Sequence, residues 1–207
     1  MQTTATAEAS TFPRLLLKHA TERPGAPAMR EKEYGIWQTR SWADMATLVE
    51  HLACGLHQAG LKRGEHMIVV GANRPRLSAT MLAAQALGAI PVPLYQDAAA
   101  AECVFPITNA EVRFCLVEDQ EQVDKMLEVR ESCPQLAHIY YDDPRGLRNY
   151  HEAGLTALDD LLTAGKRFAA SHPTFFKDEV AKAHAADVAA MLFTSGTTGN
   201  PHGVVHN

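Results

Sequence analysis

Met67-Ile68-Val69-Val70 is a short β-branched run; after a brief gap come residues 76–87, rich in Ala and Leu, and then Ile90-Pro91-Val92-Pro93-Leu94. Strand, helix and strand at that spacing make one β–α–β unit. The rhythm continues. Residues 98–109 read as a helix that Pro106 must kink or shorten. Phe114-Cys115-Leu116-Val117 reads as a strand, residues 120–132 as a helix with Val123, Met126 and Leu127 on one side, and His138-Ile139-Tyr140-Tyr141 as another strand. Strands recurring every roughly 20–25 residues with helices between them predict an α/β fold, a mostly parallel sheet with right-handed β–α–β crossovers. Pro91 and Pro93 confine their segment to a strand start, an edge or a loop. No sequence repeat accompanies the rhythm, which argues against a solenoid.

Upstream, Thr11 is placed to cap a helix running to about Glu22, with Pro13 in its first turn and Arg23-Pro24-Gly25 ending it. Residues 28–33 and 36–39 read as two short strands around Tyr34-Gly35, a hairpin. Ser41 opens a second helix, and Asp44 three positions later suggests a capping box. Trp42, Met45, Val49, Leu52 and Leu56 form one apolar stripe, read as a core face, and Gly60 sits where a helix-ending glycine belongs. Downstream, residues 142–152 are turn-rich, 155–169 read as a helix, and 171–186 are irregular with a helical turn at 178–184. Residues 188–194 read as a strand, and Gly203-Val204-Val205 as the start of another.

With 207 residues, 46% hydrophobic and 21% charged, the chain has the composition of an ordinary soluble protein. A formal net charge of -5 gives no electrostatic case for nucleic acid or an anionic membrane. The cysteines, Cys54, Cys103, Cys115 and Cys133, are far apart and lack C-x-x-C spacing, which speaks against zinc and a disulfide framework. The histidines show no H-E-x-x-H pattern, so no metal site is expected. Residues 1–10 are polar, are expected to be disordered, and lack the basic start and apolar core of a signal peptide. No run reaches the ~20 apolar residues of a membrane span. A cytoplasmic protein is expected, with room for peripheral membrane contact.

The chemistry-bearing stretch is Thr194-Ser195-Gly196-Thr197-Thr198-Gly199-Asn200-Pro201-His202-Gly203-Val204. Glycines let the backbone turn sharply and approach a ligand, and small hydroxyls add donors without bulk. Successive N–H groups in such a turn form a concavity suited to phosphate oxygens. The stretch follows a strand, where ligands bind in open α/β sheets. It is not a Walker loop: Gly196 and Gly199 are three apart, no Lys-Ser/Thr follows, and the chain leaves as a β-branched run. A phosphate cradle and a plain turn both fit the spacing.

Residues 194–204 resemble the phosphate-loop signature of AMP-forming adenylating enzymes: acyl-CoA synthetases, peptide-synthetase adenylation domains and luciferases. The family pattern, T-S-G-[S/T]-T-G-x-P-K-G-V, is met at every fixed position except the lysine, where His202 stands. The likeness extends upstream through residues 64–75, 83–95, 117–125 and 141–147, the last two closest to the bacterial long-chain fatty acyl-CoA synthetase branch. The resemblance implies an incomplete N-terminal AMP-binding domain over residues 11–207, cut after the phosphate loop, in a chain about a third of the family's length. It implies a ligase that adenylates a fatty acid with ATP and Mg2+ and passes the acyl group to coenzyme A. Thr194, Ser195, Gly196, Thr197, Thr198 and Gly199 would hold the leaving phosphates with His202 beside them, and no catalytic residue would lie in this piece, which alone would be inactive. A stand-alone nucleotide-binding or interaction module, and a ligase for another acyl or aryl acid, are the alternatives.

Overall fold

The computed structural model describes residues 11–194 and 202–207. The chain opens with α1 (Phe12–Glu22), the ribbon strands β1 (Pro27–Glu33) and β2 (Ile36–Ser41), and α2 (Trp42–Ala59). Then β3 (His66–Val70), α3 (Pro75–Ala86), β4 (Ile90–Leu94), α4 (Ala100–Asn109), β5 (Phe114–Val117), α5 (Gln120–Glu128), β6 (His138–Tyr141) and β7 (Leu155–Ala157) follow. After them come α6 (Leu158–Ser171), α7 (Phe175–Ala181), β8 (Ala190–Thr194) and β9 (His202–His206).

Local chemistry sets the boundaries. Arg14 N–H donates to the Thr11 hydroxyl at 3.4 Å. The predicted capping box is formed: Asp44 N–H donates to Ser41 Oγ at 3.1 Å, and Ser41 N–H donates to Asp44 Oδ2 at 2.9 Å. The Ser41 hydroxyl, donating to Asp44 Oδ2 at 2.7 Å, and then the Ser41 N–H hold the Asp44 carboxyl below its usual range. Gly60 ends α2 at φ 96°, a conformation that costs glycine nothing.

Five strands form a parallel sheet in the order β4-β3-β5-β6-β7, which bears out the expected α/β class. Period-two alternation divides its residues between two cores. Ile68, Val70, Cys115, Val117 and Ile139 pack with Ile107 of α4 and Val123 and Met126 of α5. Met67, Val69, Phe114, Leu116 and Tyr140 pack with α2, α3 and α6 through Leu52, Leu56, Ala83, Leu158 and Leu161. Burial on both faces explains why these strands read as unbroken apolar runs. β4, with Pro91 and Pro93, takes the sheet edge, where a row of N–H groups needs no ladder partner.

On the second face, α2 and α6 make the most extensive helix pairing among the described residues. They approach through glycines. A Cβ on Gly165 would lie 1.8 Å from the His51 carbonyl oxygen, and one on Gly55 would lie 2.5 Å from that of Leu161.

Three expectations are corrected. Residues 155–157, read as helix, are β7: Ile139 N–H donates to Gly154 O at 2.9 Å and aligns the segment with β6, so tertiary pairing overrides helical patterning. The helix over 120–132 stops at Glu128, and the chain turns so that Cys133 enters the core ahead of Pro134, which disfavours helix before it. The strand read over 188–194 begins only at Ala190, where antiparallel pairing with β9 starts, Ala190 lying opposite His206.

Gly165→Ala tests the helix crossing. Alanine favours an isolated helix by about 1 kcal/mol, but backbone cannot yield to the added methyl. The expected net result is a loss of about 1–3 kcal/mol in urea unfolding.

Candidate functional site

The segments after β3, β4, β5 and β6 share the carboxyl end of the sheet, and they are where the four upstream likeness segments converge. Strand order reverses about β3, so the crevice between β3 and β5 is the topological switch point at which open sheets take ligands. Here the protein's own anion fills it. Glu118 accepts from Ala72 N–H at 2.6 Å with Oε2 and from Arg74 Nε at 3.1 Å with Oε1. Its N–H donates to Val70 O at 2.9 Å, and its carbonyl accepts from Asp143 N–H at 2.7 Å. Gly71 makes room: at φ 155°, a Cβ there would lie 2.6 Å from both Glu118 Cβ and Leu77 Cδ2. Sequence reasoning gave neither residue a role; the available signal was a glycine and an acid, each directly after a buried strand.

Open space lies on either side of Glu118. Toward β4 is a cavity of about 720 Å³, floored by Leu77, Met81, Leu94, Leu192 and Phe193, with Asn73, Ser78 and Gln96 among its polar groups. Leu192 and Phe193 belong to β8, so this wall leads directly into the glycine-rich segment. Gln85 Nε2 donates to Ala189 O at 2.7 Å and fastens the start of β8 to α3. Phe193 meets Phe105 edge-on with centroids 6.2 Å apart. The ladder sets Thr194 opposite His202 and Phe193 opposite Gly203, where a Cβ would lie 3.1 Å from Met191 Sδ and 3.3 Å from Phe193 Cζ. Thr194 and His202, both exposed, therefore form the foot of the segment. Ser195, Gly196, Thr197, Thr198 and Gly199 lie outside the described residues.

Toward β6 is a charged cleft of about 700 Å³ lined by Arg74, Arg76 and Arg145 against Glu118, Asp142 and Asp159, with the β1–β2 ribbon along one side. Arg76 bridges elements: its Nε is 2.9 Å from Asp142 Oδ1 and its Nη2 is 2.5 Å from Asp159 Oδ1. Burial raises the Asp142 carboxyl above its usual range; Arg76 opposes that rise, while Asp159, Glu118 and Asp143 add to it. The hydrogen bond from Arg145 holds Asp143 below the usual range.

Among the described residues no group of His, Cys, Asp and Glu is arranged to hold a metal ion. The cysteines are buried, and burial pushes the Cys54 thiol up to about 11, far from a reactive thiolate. No described helix is long and apolar enough to cross a membrane.

A model of the AMP-binding enzyme family matches residues 16–207. Long-chain-fatty-acid–CoA ligase FadD15 of Mycobacterium bovis is 25% identical over 189 residues, covering 91% of this chain and 30% of that protein. Human long-chain-fatty-acid–CoA ligase ACSBG2 is 30% identical over 182 residues, covering 86% of this chain and 26% of its own. The chain thus spans less than a third of the length of these curated relatives. Among solved structures, the anthranilate CoA ligase AuaEII in complex with anthranoyl-AMP superposes with a TM-score of 0.77 at 19% identity, over 94% of this chain and 34% of that one. The N-terminal domain of FACL13 from Mycobacterium tuberculosis gives 0.65 at 21% identity, over 95% and 44%. At these identities the structural likeness is one of fold.

Glu118→Ala is expected to speed hydrogen exchange at the Ala72 amide by about tenfold or more while β3 amides keep their protection, since the lost charge-assisted bond is local. Asp142→Asn tests the buried acid. A carboxyl whose folded pKa lies above its unfolded value binds the extra proton in the folded state, so its contribution falls as pH rises from about 4 through the raised value. The difference in urea stability between wild type and variant should therefore move in the variant's favour across that window.

Proposed function

The chain belongs to the AMP-binding enzyme family, and from that premise we propose that it is the N-terminal portion of an ATP-dependent long-chain fatty acid–CoA ligase. One observation carries the reading. The stretch from Thr194 to Val204 bears the family's phosphate-loop pattern, and its described arms stand on a hairpin walling the cavity at the carboxyl end of the sheet. The relatives named as long-chain-fatty-acid ligases support the acyl class.

The difficulty of the reaction is charge. A carboxylate oxygen must attack the α-phosphorus of a polyanion while pyrophosphate leaves; the thiolate of coenzyme A then attacks the acyl carbon and AMP departs. Donors fixed around the leaving phosphates lower that barrier without reorganising. In this reading Thr194, Ser195, Gly196, Thr197, Thr198 and Gly199 hold the β- and γ-phosphates, each charge-assisted hydrogen bond contributing ~1.5–3 kcal/mol. His202 takes the lysine's place at the foot of the loop. Mg2+ would enter with ATP, as its counter-ion. Residues 11–207 are then the first part of the AMP-binding domain, and the chain alone is inactive.

The test is ATP–pyrophosphate exchange by the longer natural protein that carries this segment. Exchange that depends on a long-chain acid is expected; exchange that ignores fatty acids, or its absence, overturns the reading. Imidazole as a side-chain type loses its charge between about pH 6 and 8. ATP affinity should weaken across that range, and His202→Lys should restore it at the alkaline end by about threefold to tenfold. A flat wild-type profile removes His202 from phosphate binding.

A further inference from the structure

Residues 83–86 read Ala-Ala-Gln-Ala. Ala83, Ala84 and Ala86 are fully buried in α3, which makes the helix a fixed platform, and Gln85 is the long polar side chain among them. Gln85 Nε2 donates to Ala189 O at 2.7 Å. The Ala189 N–H donates in turn to His206 O at 2.6 Å. Helix α3 and both arms of the hairpin therefore meet at Ala189, one residue before the β8–β9 ladder begins.

Little else holds that end. Among the described residues, no backbone ladder joins β8 or β9 to the five-stranded sheet. A cavity of about 150 Å³ opens beside Gln85, Val188 and Ala189, so packing does not fill the base. β9 is exposed from His202 to His206. The hairpin packs further along, where Met191 and Phe193 reach the core around Ile107 and Phe193 meets Phe105. The angle at the base is thus left to a hydrogen bond, whose strength falls steeply as its alignment is lost. Five residues at about 3.3 Å each put Thr194 roughly 16 Å from Ala189. Over that span a paired ribbon carries a tilt at its base to the residues at its end, and misplacing groups at a reacting centre by about 1 Å costs on the order of a hundredfold in rate.

We infer that Gln85 is a positioning residue for phosphate binding: through Ala189 it sets the angle at which the hairpin presents Thr194 and His202, the foot of the glycine-rich segment, to ATP. The inference rests on the adenylation reading and extends it to a side chain 104 positions upstream of the carbonyl it holds. Gln85 does not line the cavity beside Leu192 and Phe193, so its effect on ATP is indirect.

The experiment uses the longer natural protein that carries this segment, as wild type, Gln85→Glu and Gln85→Lys. Glutamate keeps the shape and, ionised at neutral pH, has no proton to donate; lysine keeps a donor. ATP–pyrophosphate exchange is measured with ATP and acid varied separately, and hydrogen exchange is followed by mass spectrometry of peptides. Gln85→Glu should raise KM for ATP about tenfold and leave KM for the acid unchanged. Hydrogen exchange over 188–194 and 202–206 should become about tenfold faster while α3 and β3 keep their protection. Gln85→Lys should stay within about threefold of wild type in both readouts, since its charge, roughly 16 Å from the loop, lies beyond the ~10 Å screening length. A bond that only stabilised the fold would lower kcat through lost enzyme and leave both KM values alone. That pattern overturns the inference, as does unaltered hydrogen exchange in the hairpin, or faster hairpin exchange with an unaltered KM for ATP. Wild type without acid-dependent pyrophosphate exchange overturns the adenylation reading and the inference with it; failure confined to the variants overturns the inference alone.

Discussion

A parallel sheet buried on both faces must send its crossovers to both sides, and that constraint organises the molecule. β3 leads through α3 on one face to β4, and β4 returns through α4 on the other face to β5. The reversal follows from covering two faces with right-handed connections. It leaves one crevice, between β3 and β5, whose two strands send their following helices, α3 and α5, to opposite faces of the sheet. The face carrying α3 also depends on α2 and α6, whose axes approach closely because Gly55 and Gly165 put backbone against backbone. A larger residue at either position would lift the layer that buries Met67, Phe114 and Tyr140.

The crevice left by the reversal has its own electrostatic solution. Backbone N–H groups after β3 and the Arg74 guanidinium would suit an anion, and Glu118 supplies one from within. With the switch point occupied, ligand-sized space is displaced to both sides and differs in character: apolar beside β8, densely charged beside β6. Elongated apolar chemistry suits the first. In the second, the arginines already face carboxylates, so an incoming anion would have to displace them. This asymmetry agrees with the glycine-rich segment springing from β8.

Signals that act within a few residues were legible in the sequence. Ser41 with Asp44, Thr11, Gly60 and the Tyr34-Gly35 turn each specify a boundary through bonds or dihedrals spanning at most four positions, and each stands where the chain predicts it. The strands were legible because two-sided burial imposes continuous apolar runs. Nonlocal geometry was not. Leu155-Thr156-Ala157 becomes a strand only because Gly154 delivers it to β6. Gly55 and Gly165 look like weak points in helices until the two helices cross. Glu118 acts on residues 44 to 46 positions away, a separation no local pattern encodes. The glycine-rich segment was readable as a motif, while the position of β8 beside the apolar cavity and its pairing with β9 were not.

The hairpin mounting bears on how such a loop can manage charge. A phosphate loop that runs into a helix gains roughly half a positive charge from the helix N-terminus. Here the segment leaves β8 and returns as β9, and strands contribute little net dipole. In the proposed reading, neutralisation then falls to N–H groups, hydroxyls, side chains and the Mg2+ that accompanies ATP. Of the two described residues at the foot, Thr194 cannot carry charge and His202 can. In the proposed reading, in which the loop holds phosphate, residue 202 should weigh more heavily than an equivalent position beside a helix, because a strand and not a helix N-terminus follows the loop.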